Sequence, residues 1–149
     1  MPIQVRLLDE SDSEEWLRLR SALWPESSRA VHEDEMAAWL DRLDAVVLIA
    51  PPNVDGSGAV GFAEVGSRSV AEGCDTTPVA YLEGWYVDAD MRRQGVGRAL
   101  IRAAEKWARA RGFREFASDA QLPNIGSQRA HEALGFKEVE RSVLYVKSL

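Results

Sequence analysis

The segment from Arg92 to Arg98 has the residue types of a binding site for a phosphate group. Gly95 and Gly97 let the backbone approach an anion without a clash from a Cβ atom. The helical pattern that begins at Ala99 supplies unpaired N–H groups and the positive end of a helix dipole. The arginines of the segment add mobile positive charge, and no acidic residue interrupts them. The alternative is a tight turn between a strand and a helix, with the arginines facing solvent.

Glu83 is the most informative charge outside this segment, because it interrupts the apolar run from Val79 to Val87. A buried carboxylate needs a partner. Without one, desolvation raises its pKa, which makes it a candidate base or a binding point for a substrate ammonium. A structural ion pair and an exposed edge position are the alternatives. The neighbouring Gly84 predicts a bulge that would splay this strand from its neighbour and open space for a ligand.

The elements that must position these residues alternate between strand and helix patterns over residues 1–149, which predicts one α/β domain with a mixed sheet. The expected strands cover residues 3–7, 45–50, 59–65, 79–87, 115–118 and 139–146. The first expected helix begins with a capping box at Ser11-x-x-Glu14 and ends at Trp24-Pro25. The second is expected to start among the acids at 33–35 and to bury Met36, Trp39, Leu40 and Leu43. The third buries Leu100, Ala103, Ala104 and Trp107 and ends at Gly112, and the fourth covers residues 127–134.

Composition narrows the class of protein. The 149 residues include 18 basic and 24 acidic side chains, a net charge of −6, which argues against nucleic acid as a partner. No apolar run approaches the length of a membrane span, and the start MPIQVRLLDE lacks a signal-peptide core, so a cytoplasmic protein is expected. The single Cys74 fits a reducing compartment and offers no metal site; it is expected to be a loop thiol rather than a nucleophile.

The spacing Arg92-x-x-Gly95-x-Gly97 resembles the Q/R-x-x-G-x-G/A signature of the GNAT superfamily of N-acetyltransferases. The segment from Asn124 to Phe136, which ends in Ala-Leu-Gly-Phe, resembles the second conserved stretch of that superfamily. The resemblance implies a single-domain acetyltransferase fold, with a mixed, mostly antiparallel central sheet flanked by helices. It also implies acetyl-CoA as co-substrate, with no metal.

The resemblance assigns a set of residues to acetyl-CoA. It implies that backbone groups of Trp85, Tyr86 and Val87, the loop residues Arg92, Arg93, Gln94, Gly95, Val96, Gly97 and Arg98, and the side chain of Asn124 contact it. The superfamily's usual acid is a tyrosine in the helix before Leu-Gly-Phe, where this chain has His131. His131 and Tyr145 are therefore both candidate acids, and Glu83 is the candidate base. A packed or surface role is the alternative for His131.

A closer resemblance connects the chain to the aminoglycoside 6'-N-acetyltransferases of the short chromosomal type. The segments that carry it are Leu23-Trp24-Pro25, Gly73-Cys74-Asp75-x-x-Pro78, Leu82-Glu83-Gly84, Ala117-Ser118-Asp119 and Leu134-Gly135-Phe136-x-x-x-Glu140-Arg141. It implies that Trp24 packs on a sugar ring and that Glu83, Asp119 and Glu140 bind ammonium groups. Ser27 and Val70 stand in the flanking loops, where the family often has other residues. A core position for Trp24, a cap for Asp119 and a solvent-facing Glu140 are the alternatives.

The sequence therefore predicts an aminoglycoside 6'-N-acetyltransferase, and the resemblance suggests a homodimer formed through the C-terminal strands. An acetyltransferase for polyamines or another small amine is the alternative within the same class. A regulator that binds acyl-CoA without catalysis is the alternative from another class, since it would keep the arginine loop but need no acidic cleft.

Overall fold

The computed structural model describes residues 3–149; Met1 and Pro2 lie outside the described part. Its centre is a five-stranded sheet in which neighbours in sequence are neighbours in space. The strands are β1 (Arg6–Leu7), β2 (Val46–Ala50), β3 (Gly61–Arg68), β4 (Val79–Val87) and β5 (Phe116–Ser118). β1 to β4 pair antiparallel and β5 runs parallel to β4. The mixed, mostly antiparallel sheet implied by the resemblance is thereby confirmed.

Helices cover both faces of the sheet. They are α1 (Ser13–Leu23), α2 (Arg29–Leu40), α3 (Val96–Ala110) and α4 (Ile125–Ala133). On one face, α1 and α2 pack on β2 and β3 through a core that includes Trp16, Ile49 and Phe62. On the other face, α3 buries Leu100 and Ala104 against the remaining side chains of the sheet. Alternation of side chains along the strands supplies both cores.

The ends of α3 follow from two glycines. Gly95 precedes the helix with φ = 85°, and Gly112 follows it with φ = 85°. Both values lie in the left-handed region that glycine occupies without a steric penalty. The predicted end of α3 at Gly112 is confirmed, as is the end of α1 at Trp24. No helix formed by residues 3–149 combines the length and the apolar character that crossing a bilayer requires.

A bulge in β4 confirms the prediction from Gly84. Across the pair with β3, Glu64 lies opposite Gly84 while Val65 lies opposite Leu82, which leaves Glu83 without an opposite residue. Because side chains alternate between the two faces of a sheet, one extra residue reverses the phase of the strand after it. Gly84 therefore faces α1, and the next residue, Trp85, faces α3.

The pairing of β4 with β5 is short, because it ends at Leu82 and Ser118. Beyond these residues β4 continues to Val87 with no strand on that side among residues 3–149. The backbone N–H and C=O groups of Trp85 to Val87 that point to this side therefore have no strand partner, although the carbonyl oxygen of Val87 accepts from Arg92.

Two predicted helix starts are wrong. The capping box is formed by Asp9 and Asp12 around a short 3-10 turn, and α1 begins only after it, because the Ser11 hydroxyl donates to Asp9. Helix α2 begins at Arg29, where the hydroxyl of Ser28 accepts from the amide of Val31. The acids at 33–35 thus lie in the second turn. Leu40 and Leu43, predicted to be buried, are 62% and 89% exposed.

The predicted strands at the two chain ends are shortened or missing. β1 covers only Arg6–Leu7, so Ile3 and Val5 precede it. The prediction of a strand over residues 139–146 is wrong for this chain: residues 137–149 form no helix or strand and are exposed. An extended segment needs a neighbouring strand to satisfy its backbone groups, and within residues 3–149 none of the five strands pairs with this segment.

Candidate functional site

The arginine loop packs against the end of β4. The Nε atom of Arg92 donates to the carbonyl oxygen of Val87 (2.9 Å), and its guanidinium lies 5.4 Å from the ring centre of Tyr86. Arg93 adopts φ = 63°, a left-handed conformation that is uncommon for a residue other than glycine. Together with Gly95 it turns the chain into α3, whose first amides have no partner within the helix, and Arg98 lies exposed in the first turn of that helix. This arrangement suits an anion.

Gly97 brings α3 close to β4. A Cβ atom at this position would lie 3.2 Å from Cζ2 of Trp85, whereas a Cβ atom at Gly95 would meet nothing within 4 Å. Gly97 thus serves close packing on an indole, and Gly95 serves the turn itself. The indole Nε1 of Trp85 is buried and has no hydrogen-bond partner among the described residues.

A cleft of about 390 Å³ lies on the opposite face of the sheet. Its walls combine carboxylates, indoles and arginines from α1, α2, β3 and β4. The lining residues are Arg20, Trp24, Glu35, Ala38, Trp39, Arg42, Glu64 and Glu83. Trp24 and Glu83, which the sequence predicted to bind substrate, meet here. Carboxylates bind cations, and indoles pack on apolar faces. The cleft therefore suits a ligand that has both positive charges and an apolar face.

A buried ionic network forms the floor of this cleft. Arg20 and Glu64 are each 2% exposed and form an ion pair, and Arg20 also pairs with Glu35. Trp16 donates its indole N–H to Glu64 (3.0 Å). Burial raises the pKa of Glu64, but the guanidinium and the indole N–H oppose that effect, and the close ion pair keeps the carboxylate charged.

The same network holds Trp24 in place. The guanidinium of Arg20 lies 4.7 Å from the ring centre of Trp24 and donates from Nε to Nδ1 of His32 (3.3 Å). The opposite nitrogen of His32 donates to the carbonyl oxygen of Trp24 (3.1 Å), because a carbonyl only accepts. The indole therefore has a fixed orientation at the mouth of the cleft.

Glu83 has a partner in the structure. Arg68, at the end of β3, donates from Nε and Nη2 to its two carboxylate oxygens, both at 2.8 Å. The guanidinium also lies 3.5 Å from the ring centre of Tyr81, whose hydroxyl donates to Asp119 (2.6 Å). Burial, followed by the Asp119 carboxylate, raises the pKa of Tyr81, so its hydroxyl remains a donor. Glu83 and Asp119 are thus connected through Arg68 and Tyr81.

His131 lies where the β4–β5 pairing ends. Its Nδ1 donates to the carbonyl oxygen of Ser127 (2.7 Å), so in the neutral ring Nε2 accepts from the hydroxyl of Ser118 (2.8 Å). The ring packs edge to face on Trp85, with 5.2 Å between centres. His131 is therefore oriented from both nitrogens, beside the free edge of β4.

Other predicted site residues lie farther from this centre. Asn124 caps α4, because its Oδ1 accepts from the amide of Ser127 (3.1 Å). Ser27 is half-buried next to the cleft, and its amide donates to Trp24. Val70, Glu140 and Tyr145 are exposed, and Tyr145 is 91% exposed. Within one chain the structure therefore does not bring Glu140 or Tyr145 to the cleft.

Cys74 is a free thiol in the loop before β4. Burial raises its pKa, and the neighbouring carboxylate of Glu115 raises it further. A raised pKa disfavours the thiolate, which is the nucleophilic form. This agrees with the expectation of a loop thiol without a catalytic role. Among residues 3–149, no three His, Cys, Asp or Glu side chains are grouped as metal ligands would be.

Sequence reasoning missed several residues of the cleft. Glu64 carries the same signal as Glu83, an acid within an apolar strand, and Arg20 interrupts the apolar face of α1 in the same way. Glu35 and Trp39 carry no such signal, since the acids of α2 look like a solvated face. Arg68 ends a strand next to a polar loop, and nothing in its surroundings along the chain distinguishes it.

Comparisons with known proteins agree with this geometry. A model of the acetyltransferase (GNAT) family matches residues 13–136. An aminoglycoside N(6')-acetyltransferase type 1 from Klebsiella aerogenes is 48% identical, over 97% of this chain and 96% of that protein. The crystal structure of the aminoglycoside 6'-N-acetyltransferase AAC(6')-IG from Acinetobacter haemolyticus superposes with a TM-score of 0.89 at 39% identity, covering 98% and 99% of the two chains. The structure of AAC(6')-Iy with the bisubstrate analog CoA-S-monomethyl-acetylneamine superposes with a TM-score of 0.90 at 36% identity, over all of both chains.

Proposed function

Since the chain belongs to the acetyltransferase (GNAT) family, we propose that it transfers the acetyl group of acetyl-CoA to the 6'-amine of aminoglycoside antibiotics. One observation carries the proposal. Two consecutive residues of β4 face opposite sides: Gly84 contacts the indole of Trp24 in the acidic cleft, and Trp85 contacts Gly97, at the end of the arginine loop where α3 begins. A site for a cationic acceptor and a site for an anionic donor thus meet at one peptide unit.

The residues of the loop fit the anionic donor. The amides at the start of α3, the open space at Gly95 and the exposed guanidinium groups of Arg93 and Arg98 suit a pyrophosphate. The free edge of β4 over Trp85 to Val87 suits an amide-containing arm, which would pair as an added strand does. When bound, acetyl-CoA supplies an activated acetyl thioester.

The residues of the cleft fit an amino sugar with several charges. Glu83 and Glu35 line the cleft and supply carboxylates for ammonium groups, and Trp24 supplies a flat apolar surface for the face of a ring. Asp119, which is connected to Glu83 through Tyr81 and Arg68, supplies a further carboxylate next to the cleft. A linear polyamine would use the carboxylates but not the indole surface. The fixed orientation of Trp24 is the observation that favours the aminoglycoside over the polyamine.

Two side chains are proposed to handle protons. An amine attacks only when it is unprotonated, so Glu83 binds the reacting ammonium and accepts its proton directly or through water. To act as an acid, His131 must first be protonated on Nε2, the nitrogen that contacts the hydroxyl of Ser118 (2.8 Å), and it then donates this proton to the leaving thiolate of CoA. The amides of β4 past the bulge are the candidate donors to the developing negative charge on oxygen.

A homodimer through the C-terminal segment is part of the proposal. Residues 137–149 contain the exposed apolar run Val143 to Val146, and only one edge of β5 is paired. A second copy supplies a partner for both features, and it would bring Glu140 and Tyr145 to a cleft that they do not reach in their own chain. In sedimentation we expect a mass of about twice the 16.5 kDa of one chain, and a monomer at every concentration would contradict this part.

The free thiol of Cys74 supports a cytoplasmic location.

The test is thiol release. Protein mixed with acetyl-CoA and tobramycin or kanamycin is expected to release free CoA thiol, with one acetyl group added at the 6' position by NMR. Mixtures without the aminoglycoside serve as the control. Release with spermidine alone would favour a polyamine acetyltransferase, and tight acetyl-CoA binding without release to any amine would favour a non-catalytic regulator.

A further inference from the structure

Arg68 occupies the carboxylate that the proposed function assigns to the substrate. Both oxygens of Glu83 accept from this one guanidinium at 2.8 Å. A bidentate ion pair of this kind uses both carboxylate oxygens, which an ammonium would otherwise contact. An amine that binds Glu83 must therefore first displace Arg68.

The guanidinium has a second resting contact. It lies 3.5 Å from the ring centre of Tyr81, and the hydroxyl of that ring donates to Asp119. The carboxylate of Glu83, with a smaller contribution from Asp119, raises the pKa of Arg68, so the side chain stays charged. The positive charge of Arg68 thus balances the negative charges of Glu83 and Asp119.

Arg68 differs from Arg20, the arginine that pairs with carboxylates at the floor of the cleft. Arg20 is 2% exposed and pairs with a carboxylate that is equally buried, so its charge is a permanent part of the core. The side chain of Arg68 is 45% exposed and that of Glu83 is 26% exposed. Exposed pairs contribute little to stability, so a ligand can replace them. Arg68 is the exchangeable cation of the two.

We propose that Arg68 competes with the substrate for Glu83 and so raises the intrinsic affinity that an amine needs in order to bind. Exchange of the guanidinium for a single ammonium replaces one ion pair by another and gains little. A polycation gains further pairs at Asp119 and Glu35, so it binds while Arg68 is present, whereas an amine with one charge binds far more weakly. The inference rests on the proposed function and concerns the substrates that this function can use.

The variant Arg68→Gln tests the inference. The KM for tobramycin is expected to fall by about twofold to fivefold, the range that an exposed ion pair is worth. The KM for the monoamine 6-amino-6-deoxyglucose is expected to fall by a similar factor, because both amines displace the same guanidinium, and the KM for acetyl-CoA is expected to stay unchanged. The KM for tobramycin should also rise more steeply with salt than in the wild type, because a new ion pair forms where one was exchanged.

Two further variants control for charge and folding. Arg102→Gln removes an arginine that pairs with Glu105 on the outer side of α3, with the same change in net charge, and is expected to behave as the wild type. Arg68→Lys keeps the charge but loses the bidentate fork, so its KM should lie between those of the wild type and Arg68→Gln. It also keeps the test valid if the glutamine variant is unstable.

The outcomes distinguish a failure of the role of Arg68 from a failure of the proposed function. Suppose that the wild type acetylates tobramycin and that the KM of Arg68→Gln is equal to or above that of Arg102→Gln. This result overturns the role of Arg68 and leaves the proposed function intact. A wild type that releases no thiol with any 6'-amino aminoglycoside overturns the proposed function and the role of Arg68 with it. A lower KM in Arg68→Gln with the steeper salt dependence supports both.

Discussion

The indole of Trp24 lies directly on Gly84, so that a Cβ atom at position 84 would come within 2.8 Å of Cη2 of the indole. No side chain other than hydrogen fits under the ring in its present position. The contact places the flat surface of Trp24 next to Glu83, which is the bulged residue of β4. The glycine therefore shapes the acceptor side of the cleft without contacting the ligand.

Gly84→Ala is expected to displace the indole and raise the KM for tobramycin by about tenfold, since overpacking of a tight contact costs about 1–3 kcal/mol. The KM for acetyl-CoA should change little. Gly126→Ala is the matched control, because a Cβ atom there meets only Asn124, at 3.9 Å. Steady-state kinetics with both substrates measure the effect. Equal KM values in the two variants would show that the position of Trp24 does not matter.

Glu83→Gln keeps the size of the side chain and removes its charge. A hydrogen bond to a charged group is worth about 1.5–3 kcal/mol, so kcat/KM for tobramycin is expected to fall by about 10- to 100-fold. Glu105→Gln is the control, since Glu105 also pairs with an arginine and is 21% exposed against 26% for Glu83. Thermal unfolding should show both variants folded. Kinetics like those of the control would remove Glu83 from the site.

The sequence predicted the parts of the molecule that depend on local physics. The arginine loop, α3 and its end at Gly112 follow from glycine geometry and helical periodicity, and the bulge follows from an acid and a glycine side by side in an apolar strand. These features are encoded within a few residues. For the same reason the cofactor side of the site was easier to predict than the acceptor side.

The acceptor side depends on contacts between residues far apart in the chain. Arg68 meets Glu83 across a strand pair, and Glu35 reaches Arg20 from another helix. No pattern along the sequence reports such contacts. The prediction for the C-terminal segment failed for a related reason. Its apolar run predicts a strand, but a strand also needs a neighbour, and no strand in the described part of the chain pairs with it.

Arg98→Ala tests the anion loop. Arg98 is exposed in the first turn of α3, and loss of one phosphate contact is expected to raise the KM for acetyl-CoA by about threefold to tenfold. The effect should shrink at high salt, because exposed charges are screened. Arg109→Ala, an exposed arginine in the last turn of the same helix, makes the same charge change and should leave this KM unaltered. An equal effect in both variants would mean a general charge effect.

His131→Gln tests the proposed acid. The amide cannot donate and recover a proton as imidazole does, so kcat is expected to fall by about 100-fold, with both KM values nearly unchanged. Ser127→Ala is the control: it removes only the 3.3 Å contact of the hydroxyl, while the 2.7 Å bond from His131 to the carbonyl of residue 127 remains. Rapid-mixing kinetics of thiol release give kcat. A wild-type kcat in His131→Gln would exclude the acid role.

Asp12→Asn tests the ion pair that anchors β1 to the start of α1. Asp12 is buried and accepts from Arg6 at 2.6 and 2.9 Å, and this pairing holds the pKa of Asp12 below its usual value. A lowered folded pKa gives stability that is complete above the unfolded pKa of about 3.9 and is lost as the pH falls through the folded pKa. The variant is therefore expected to lose about 1–3 kcal/mol at neutral pH.

Urea unfolding at a series of pH values measures this loss. The difference in free energy of unfolding between wild type and Asp12→Asn should close as the pH drops below the unfolded pKa. Asp34→Asn is the control, because Asp34 is exposed and its carboxylate forms no ion pair or side-chain hydrogen bond among residues 3–149, so its curve should follow the wild type. A difference that stays constant down to low pH would show that the amide acts through shape and not through charge.

The extra residue in β4 fixes which layer each of the following residues faces. Gly84 and Trp85 face opposite layers, and consecutive residues of a strand are about 3.3 Å apart along its axis. The acceptor layer and the donor layer are thus joined by a single peptide unit of the strand. Insertion or deletion of one residue in β4 before Trp85 would exchange the two faces. Trp85 would then point into the acidic cleft, and the indole of Trp24 would lose the glycine on which it packs. The number of residues in β4 therefore determines which of the two ligands each face of the strand meets.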